Sequence, residues 1–196
     1  MILLVDNKDS FVYNIVGLLK CFPQFEFEVK KNNQLDLSSI NKYSKIILSP
    51  GPGIPSEAGD MLKLIEKTYS THQILGICLG HQAIVEFFGG SIKNMPLAKH
   101  GHASKLKIID NKDILLNNLP PNPIIGRYHS WVADSVSEGL IVSSVDEDNN
   151  IMSVYHKTHN IHSLQFHPES IITNCGKQII SNWLNQQDIF TNRYSS

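Results

Sequence analysis

The stretch Ile74-Leu75-Gly76-Ile77-Cys78-Leu79-Gly80-His81-Gln82 decides how this chain folds. Ile74–Ile77 is a short, mostly aliphatic run of the kind that forms a strand buried on both faces. Gly80–Phe88 continues at helical spacing, and Gly89-Gly90 closes it. A strand that feeds straight into a helix through Gly-x-Cys-x-Gly is the setting of a nucleophile elbow. The tight turn lifts one side chain out of the carboxyl end of a sheet, and the flanking glycines leave room for the strained backbone. Here the lifted group is the thiol of Cys78. Beside a helix N-terminus and an imidazole, a thiol of ordinary pKa about 8.5 becomes a usable thiolate at neutral pH. A buried structural cysteine is the alternative, so the imidazole has to be found elsewhere in the chain.

Towards the N-terminus the same alternation repeats. Ile46–Ser49 reads as a strand stopped by Pro50-Gly51-Pro52-Gly53, and Glu57–Tyr69 as a helix with Met61, Leu62, Ile65 and Tyr69 on one face. Ile2–Val5 is a strand ended by Asp6-Asn7, and Asp9/Ser10 offer an N-cap for a helix through Leu19. Phe25–Val29 is a further strand. Strand and helix in alternation, with short connectors, predict an α/β fold with a doubly wound, mostly parallel sheet. Beyond the elbow the pattern changes. Lys105–Ile109, Ile124–Tyr128, Leu140–Val145, Ile151–Tyr155 and Ile161–Gln165 are short strands between turn clusters, which predicts an additional antiparallel portion. Ile179–Leu184 belongs to a closing helix. One domain over residues 1–187 is expected, with 188–196 as a polar C-terminal tail.

Composition agrees with a compact domain. The chain has 196 residues, 41% hydrophobic and 18% charged, with a formal net charge of −1. That balance excludes a disordered chain and offers no electrostatic case for nucleic acid or an anionic membrane. No apolar run approaches the roughly 20 residues of a membrane-spanning helix. The start Met-Ile-Leu-Leu-Val-Asp lacks a signal peptide's basic n-region. Cys21, Cys78 and Cys175 are odd in number and far apart, which favours reduced thiols and a cytoplasmic location.

The imidazole is supplied by Gln165-Phe166-His167-Pro168-Glu169. Spacing of two in extended backbone puts His167 and Glu169 on one face. A carboxylate that fixes the imidazole tautomer and a histidine that takes the thiol proton complete the logic of a nucleophilic triad. A surface His-Pro-Glu turn is the bland reading of these residues taken alone. The order is Cys78, His167, Glu169, with the acid last, whereas elbow-bearing α/β-hydrolases run nucleophile, acid, histidine. An esterase-like reading is therefore disfavoured.

With these residues in hand, the chain resembles the class I (triad-type) glutamine amidotransferases. The resemblance rests on three ordered motifs: Ser49-Pro50-Gly51-Pro52-Gly53, Gly76-Ile77-Cys78-Leu79-Gly80-His81-Gln82 and Gln165-Phe166-His167-Pro168-Glu169-Ser170. It implies a catalytic Cys78, His167 and Glu169, with Cys78 forming a γ-glutamyl thioester from glutamine and releasing ammonia. It further implies an oxyanion hole from the N–H groups of Gly53 and Leu79, and glutamine binding at Gly51, Gln82, Ser130 and Trp131. The opening Val5-Asp6-Asn7-Lys8-Asp9-Ser10-Phe11-Val12-Tyr13-Asn14 is similar to the amidotransferase subunits of anthranilate synthase and aminodeoxychorismate synthase. Lys8, Val12 and His102 depart from that pattern, where Tyr, Thr and Lys are usual. The implied partner is a separate chorismate-using synthase subunit, near whose docking surface Lys8, Asp9 and Ser10 would lie. No cofactor is implied in this chain, and magnesium is expected in the partner. The product, anthranilate or 4-amino-4-deoxychorismate, stays open. So do two other readings: a stand-alone cysteine hydrolase such as a γ-glutamyl hydrolase, and a catalytically silent regulatory subunit.

No metal site is expected. His100/His102 are divided by a glycine and His156/His159/His162 straddle a turn, so they read as solvated loop histidines. Pro50–Gly53 is not a phosphate loop, because no Lys-Ser/Thr follows. Cys21 and Cys175 read as packing residues.

Overall fold

A computed structural model describes residues 1–186; the expected tail 188–196 lies outside them. The order begins β1 (Ile2–Asp6), α1 (Val12–Lys20), β2 (Phe27–Lys31), β3 (Lys45–Leu48), α2 (Met61–Thr68), β4 (Gln73–Ile77) and α3 (Leu79–Phe87). It continues with β5 (Ser91–Lys105), β6 (Lys107–Ile108), β7 (Ile124–Ser135), β8 (Leu140–Val145), β9 (Ile151–His156), β10 (Ile161–Leu164) and α4 (Gly176–Leu184). One sheet runs β2-β1-β3-β4-β10-β9-β8-β6. Its first five strands are parallel and β10, β9, β8 and β6 pair antiparallel.

Each central strand alternates between two cores, as a sheet covered on both faces must. Ile2, Leu4, Ile47, Leu75 and Ile77 face the core shared with Ile15 and Leu19 of α1 and Ile179 and Trp183 of α4. Leu3, Val5, Ile46, Leu48 and Ile74 face the core shared with Leu64 and Ile65 of α2 and Ala83 and Ile84 of α3. The sheet is thus doubly wound, as predicted. Among the described residues no helix is long and apolar enough to cross a membrane.

Several boundaries differ from the sequence reading for definable reasons. Glu57–Tyr69 is not one helix: Pro55–Glu57 form a 3-10 turn and Gly59, at φ +58°, breaks the chain before α2 begins. Asp9 does not cap α1; its Oδ1 accepts from the Phe11 N–H at 2.8 Å, and the helix starts one residue later with no side-chain cap. The largest addition is β5, a 15-residue strand that pairs antiparallel with β7 in a separate ribbon. Nearly all its side chains are outside the core, so it carries no apolar alternation to read. Lys105–Ile109 is accordingly split, with Lys105 ending β5 and Lys107–Ile108 forming β6 in the main sheet.

Candidate active site

In a doubly wound sheet ligands bind outside the carboxyl ends of the strands, and there β1, β3, β4 and β10 deliver Asn7, Pro50–Gly53, Cys78 and Gln165–Glu169. Cys78 joins β4 to α3 at φ +52°, ψ −100°, a conformation costing a non-glycine residue about 1–3 kcal/mol. The surroundings hold it there. The Cys78 N–H donates to the Leu164 carbonyl at 2.8 Å, and its own carbonyl accepts from Gln82 N–H at 3.0 Å. The flanking glycines are dictated by close approach. A Cβ on Gly80 would lie 2.4 Å from the Leu48 carbonyl oxygen, and one on Gly76 would lie 2.5 Å from that of Gly80. The N–H groups of Leu79, Gly80 and His81 form the open first turn of α3, which favours negative charge at Cys78.

His167 and Glu169 are brought together, but not by extended backbone. β10 ends at Leu164, and His167–Ser170 is a turn closed by Ser170 N–H donating to the His167 carbonyl at 3.2 Å. Pro168 suits the second position of such a turn. The same carbonyl accepts from Thr173 Oγ1 at 2.6 Å, and His167 N–H donates to the Gly126 carbonyl at 3.0 Å. From below, α4 starts so tightly under the turn that a Cβ on Gly176 would fall 1.7 Å from the Pro168 oxygen. The turn is therefore fixed on every side. His167 Nδ1–H donates to Glu169 Oε1 at 2.7 Å, with both side chains buried.

Nε2 of His167 is buried without a well-aligned hydrogen bond among the described residues, although the Cys78 sulfur acts strongly on it. Such loose alignment is ordinary in an unliganded site. Burial alone would lower the pKa of His167; charge and hydrogen bonding at Cys78 and Glu169 outweigh it and raise the pKa. The His167 ring is therefore expected to rest as an imidazolium at neutral pH. A raised folded-state value means this ionic contribution to stability is complete below pH about 6.5 and is lost as pH rises through the folded value. In Cys78→Ser, Glu169 alone opposes burial, so the His167 pKa should fall. Histidine NMR at neutral pH should show an imidazolium in the native chain and a neutral ring in the variant.

The predicted residues Gly51, Gly53, Cys78, Gln82, Ser130 and Trp131 line one cleft of about 300 Å³, together with Asp9, Pro52, His100, Tyr128 and His129. Gly53 sits at φ +75°, and Leu79 is buried at the start of α3. Phe11 and Tyr128 pack on His167, with ring centroids 4.9 Å and 5.1 Å away, and shield the imidazole from water.

The sequence reading missed the support behind this cleft. Arg127 is 1% exposed and pairs with the buried Asp146. Its Nε donates to His129 Nε2 at 3.2 Å. Arginine only donates, so Nε2 is the acceptor and Nδ1 carries the proton, donating to the Trp131 carbonyl at 3.0 Å. Burial first, and then the Arg127 charge, push the His129 pKa down to about 3, so the ring is neutral. Gln82 Nε2 donates to the same carbonyl at 3.0 Å. Below the elbow, the buried His81 meets Ser163 Oγ at 2.8 Å, and burial lowers its pKa to about 3. The Arg127–Asp146, Gln82–Trp131 and His81–Ser163 contacts have no local signature, since their partners are distant in sequence, whereas Arg127, His129 and Trp131 stand two apart along β7. Gln165 is different: it stands two residues before His167, the spacing that drew attention to Glu169.

Other expectations are corrected here. His100 and His102 are exposed, as read, but His156 and His159 are half-buried against Phe88. His156 Nδ1 accepts from the N–H groups of Thr158 and His159 at 3.1 Å and 3.0 Å, pinning the turn. His162 is buried against Asp113 at 2.9 Å. Cys175 is buried in the core, where burial pushes its pKa up to about 11. Cys21 is exposed and is not a packing residue.

A doubly wound α/β domain with a cysteine elbow facing a His–Glu pair defines a class of thiol-bearing sites. The family model for Glutamine amidotransferase class-I matches residues 3–187. The chain is 41% identical over 192 residues to anthranilate synthase component 2 of Porphyra purpurea, covering 94% of this chain and 98% of that one. It is 40% identical over 202 residues to anthranilate synthase component 2 of Pseudomonas aeruginosa, covering 95% and 96%. The solved structure of a glutamine amidotransferase from Thermotoga maritima superposes with a TM-score of 0.72 at 14% identity, over 93% of this chain and 80% of that one, which speaks to the fold alone. The chain belongs to the class I glutamine amidotransferase family.

Proposed function

We propose that this chain is the glutaminase subunit of a chorismate-aminating synthase, with anthranilate as the product of the complex. The observation that carries the chemistry is Cys78, strained at the elbow and facing the buried His167–Glu169 pair at the edge of the cleft. The relatives reported above, similar over nearly their whole length, support the choice of partner and product.

In this reading the Cys78 thiolate attacks the side-chain carboxamide carbon of glutamine and forms the C–S bond. The N–H groups of Leu79 and Gly53 receive the oxyanion. Collapse breaks the C–N bond while His167 gives its proton to the departing nitrogen, which leaves as ammonia. Water then attacks the γ-glutamyl thioester, His167 takes its proton, and the C–S bond breaks to release glutamate. Glu169 holds the imidazole throughout. Gln82, Ser130 and Trp131 line the cleft where the amino-acid end of the substrate would sit. These steps call on no cofactor in this chain; magnesium belongs with the partner.

Ammonia must reach the second active site before water protonates it, so the partner would dock over the cleft. Three exposed apolar side chains lie near the residues of the site in sequence or strand register. Tyr13 stands two residues beyond Phe11, Ile171 two beyond Glu169, and Leu97 lies in the β5 irregularity between Asn94 and Lys99, the partners of Trp131 and His129. Lys8 and Ser10 are exposed beside them, whereas Asp9 turns into the cleft. The test is glutamine hydrolysis with and without the purified synthase subunit. Stimulation by that subunit is expected, and Ile171→Asp should weaken complex formation while leaving basal hydrolysis unchanged. Full activity of the isolated chain, indifferent to any chorismate-using subunit, would favour the stand-alone hydrolase.

A further inference from the structure

We infer that Gln165 is a further catalytic residue, whose side-chain N–H donates to the sulfur of Cys78 and holds it as an anion. Gln165 is fully buried, and its Nε2 lies 3.7 Å from Sγ. An amide can face a neighbour with either end, and the end that faces Sγ decides the chemistry. Here the hydrogen bonds behind it decide. The Trp131 carbonyl can only accept, so the Gln82 group facing it at 3.0 Å must be the NH2. The same NH2 reaches Gln165 at 3.3 Å, so the Gln165 atom there must be its carbonyl oxygen. That leaves the Gln165 NH2 pointing at the sulfur. Reversing Gln165 would set two NH2 groups against each other and press a carbonyl oxygen on a thiolate.

The relay is anchored at its far end, because His129 donates to the same Trp131 carbonyl and is itself fixed by Arg127 and Asp146. The N–H serves twice if Cys78 is the nucleophile of the proposed reaction, on which this inference rests. It favours the attacking thiolate, and it favours the thiolate again when sulfur leaves the thioester. Gln82 has both its N–H groups committed, and its Oε1 can only accept.

The experiment measures alkylation of Cys78 by iodoacetamide as a function of pH, read by mass spectrometry in a Cys21→Ser background because Cys21 is exposed. The groups around the sulfur are His167 with Glu169 behind it, His81 in the first turn of α3, and Asp9, His100, Tyr128 and His129 in the cleft, with Glu57 beyond Gly53. All are common to the variants, so a difference isolates Gln165. Gln165→Met should slow alkylation at neutral pH roughly tenfold and raise its midpoint by about one pH unit, the loss of one charge-assisted hydrogen bond. Gln165→Glu, isosteric but presenting a carboxylate, should raise the midpoint further and serves if the methionine variant fails to fold. Superimposable profiles for native and either folded variant would overturn the inference. A native Cys78 that alkylates no faster at neutral pH than an ordinary thiol would instead overturn the nucleophile reading itself.

Discussion

Cys78→Ser is expected to lower glutamine hydrolysis by on the order of 10⁴–10⁶-fold, and His167→Ala by about as much, since members of a catalytic unit do not contribute additively. The double variant should be no worse than either alone. Amination by the complex should nonetheless persist with added ammonium salt, because this chain only makes ammonia and the amination site lies on the partner. Glu169→Ala should retain more activity than His167→Ala. In the proposed reaction its carboxylate would orient the ring and stabilise the imidazolium without taking the proton. The check is steady-state hydrolysis on variants whose thermal unfolding matches the native chain, with an ammonium-driven amination assay beside it. Hydrolysis surviving in Cys78→Ser would move the nucleophile elsewhere.

The second large effect falls on stability. Asp146 and Arg127 are both buried, and Asp146 also accepts from the N–H groups of Asp148 and Asn150 at 2.9 Å and 2.8 Å. Asp146→Ala would strand a buried guanidinium and release that turn. The expected cost is about 3–5 kcal/mol, read as a lower urea midpoint with unchanged slope. Replacing both partners with apolar residues of similar volume, Arg127→Met with Asp146→Leu, should recover the part of that loss due to the stranded guanidinium, though not the part due to the released turn. It should not recover glutamine affinity, because the donor that fixes His129, and through it the Trp131 carbonyl, is gone. Stability and KM should therefore separate in the double variant and move together in Asp146→Ala. Equal stability of Asp146→Ala and the native chain would mean that the pair carries no structural role.

Much of this architecture was legible because it is written in short-range patterns. The runs Ile2–Val5 and Ile74–Ile77 announce strands covered on both faces, and Gly76-x-Cys78-x-Gly80 announces the elbow between strand and helix. The pairing of His167 with Glu169 was legible too, although the backbone that achieves it is a turn. Strand β5 was not, since a strand that buries almost nothing has no hydrophobic period, whereas the first part of its partner β7 was read as the strand Ile124–Tyr128. The start of α2 was placed at Glu57 rather than Met61, because the 3-10 turn ending at Glu57 and the positive φ of Gly59 bend the chain in ways that periodicity does not report. The polar scaffold behind the cleft was invisible for another reason. Arg127 meets Asp146 across 19 positions and Gln82 meets Gln165 across 83, and buried polar partners so far apart leave no local trace.

Ammonia made by this chain is expected to pass to a second subunit. The most direct test supplies amide-¹⁵N glutamine to the purified chain together with a chorismate-using synthase subunit, and measures glutamate formed against ¹⁵N in the aminated product. The two are expected to rise in equal amounts, with no dilution of the product by unlabelled ammonium in the medium, and Cys78→Ser is expected to abolish both. Glutamate formed at full rate by this chain alone, with no label passing to the product when the subunit is added, would contradict it.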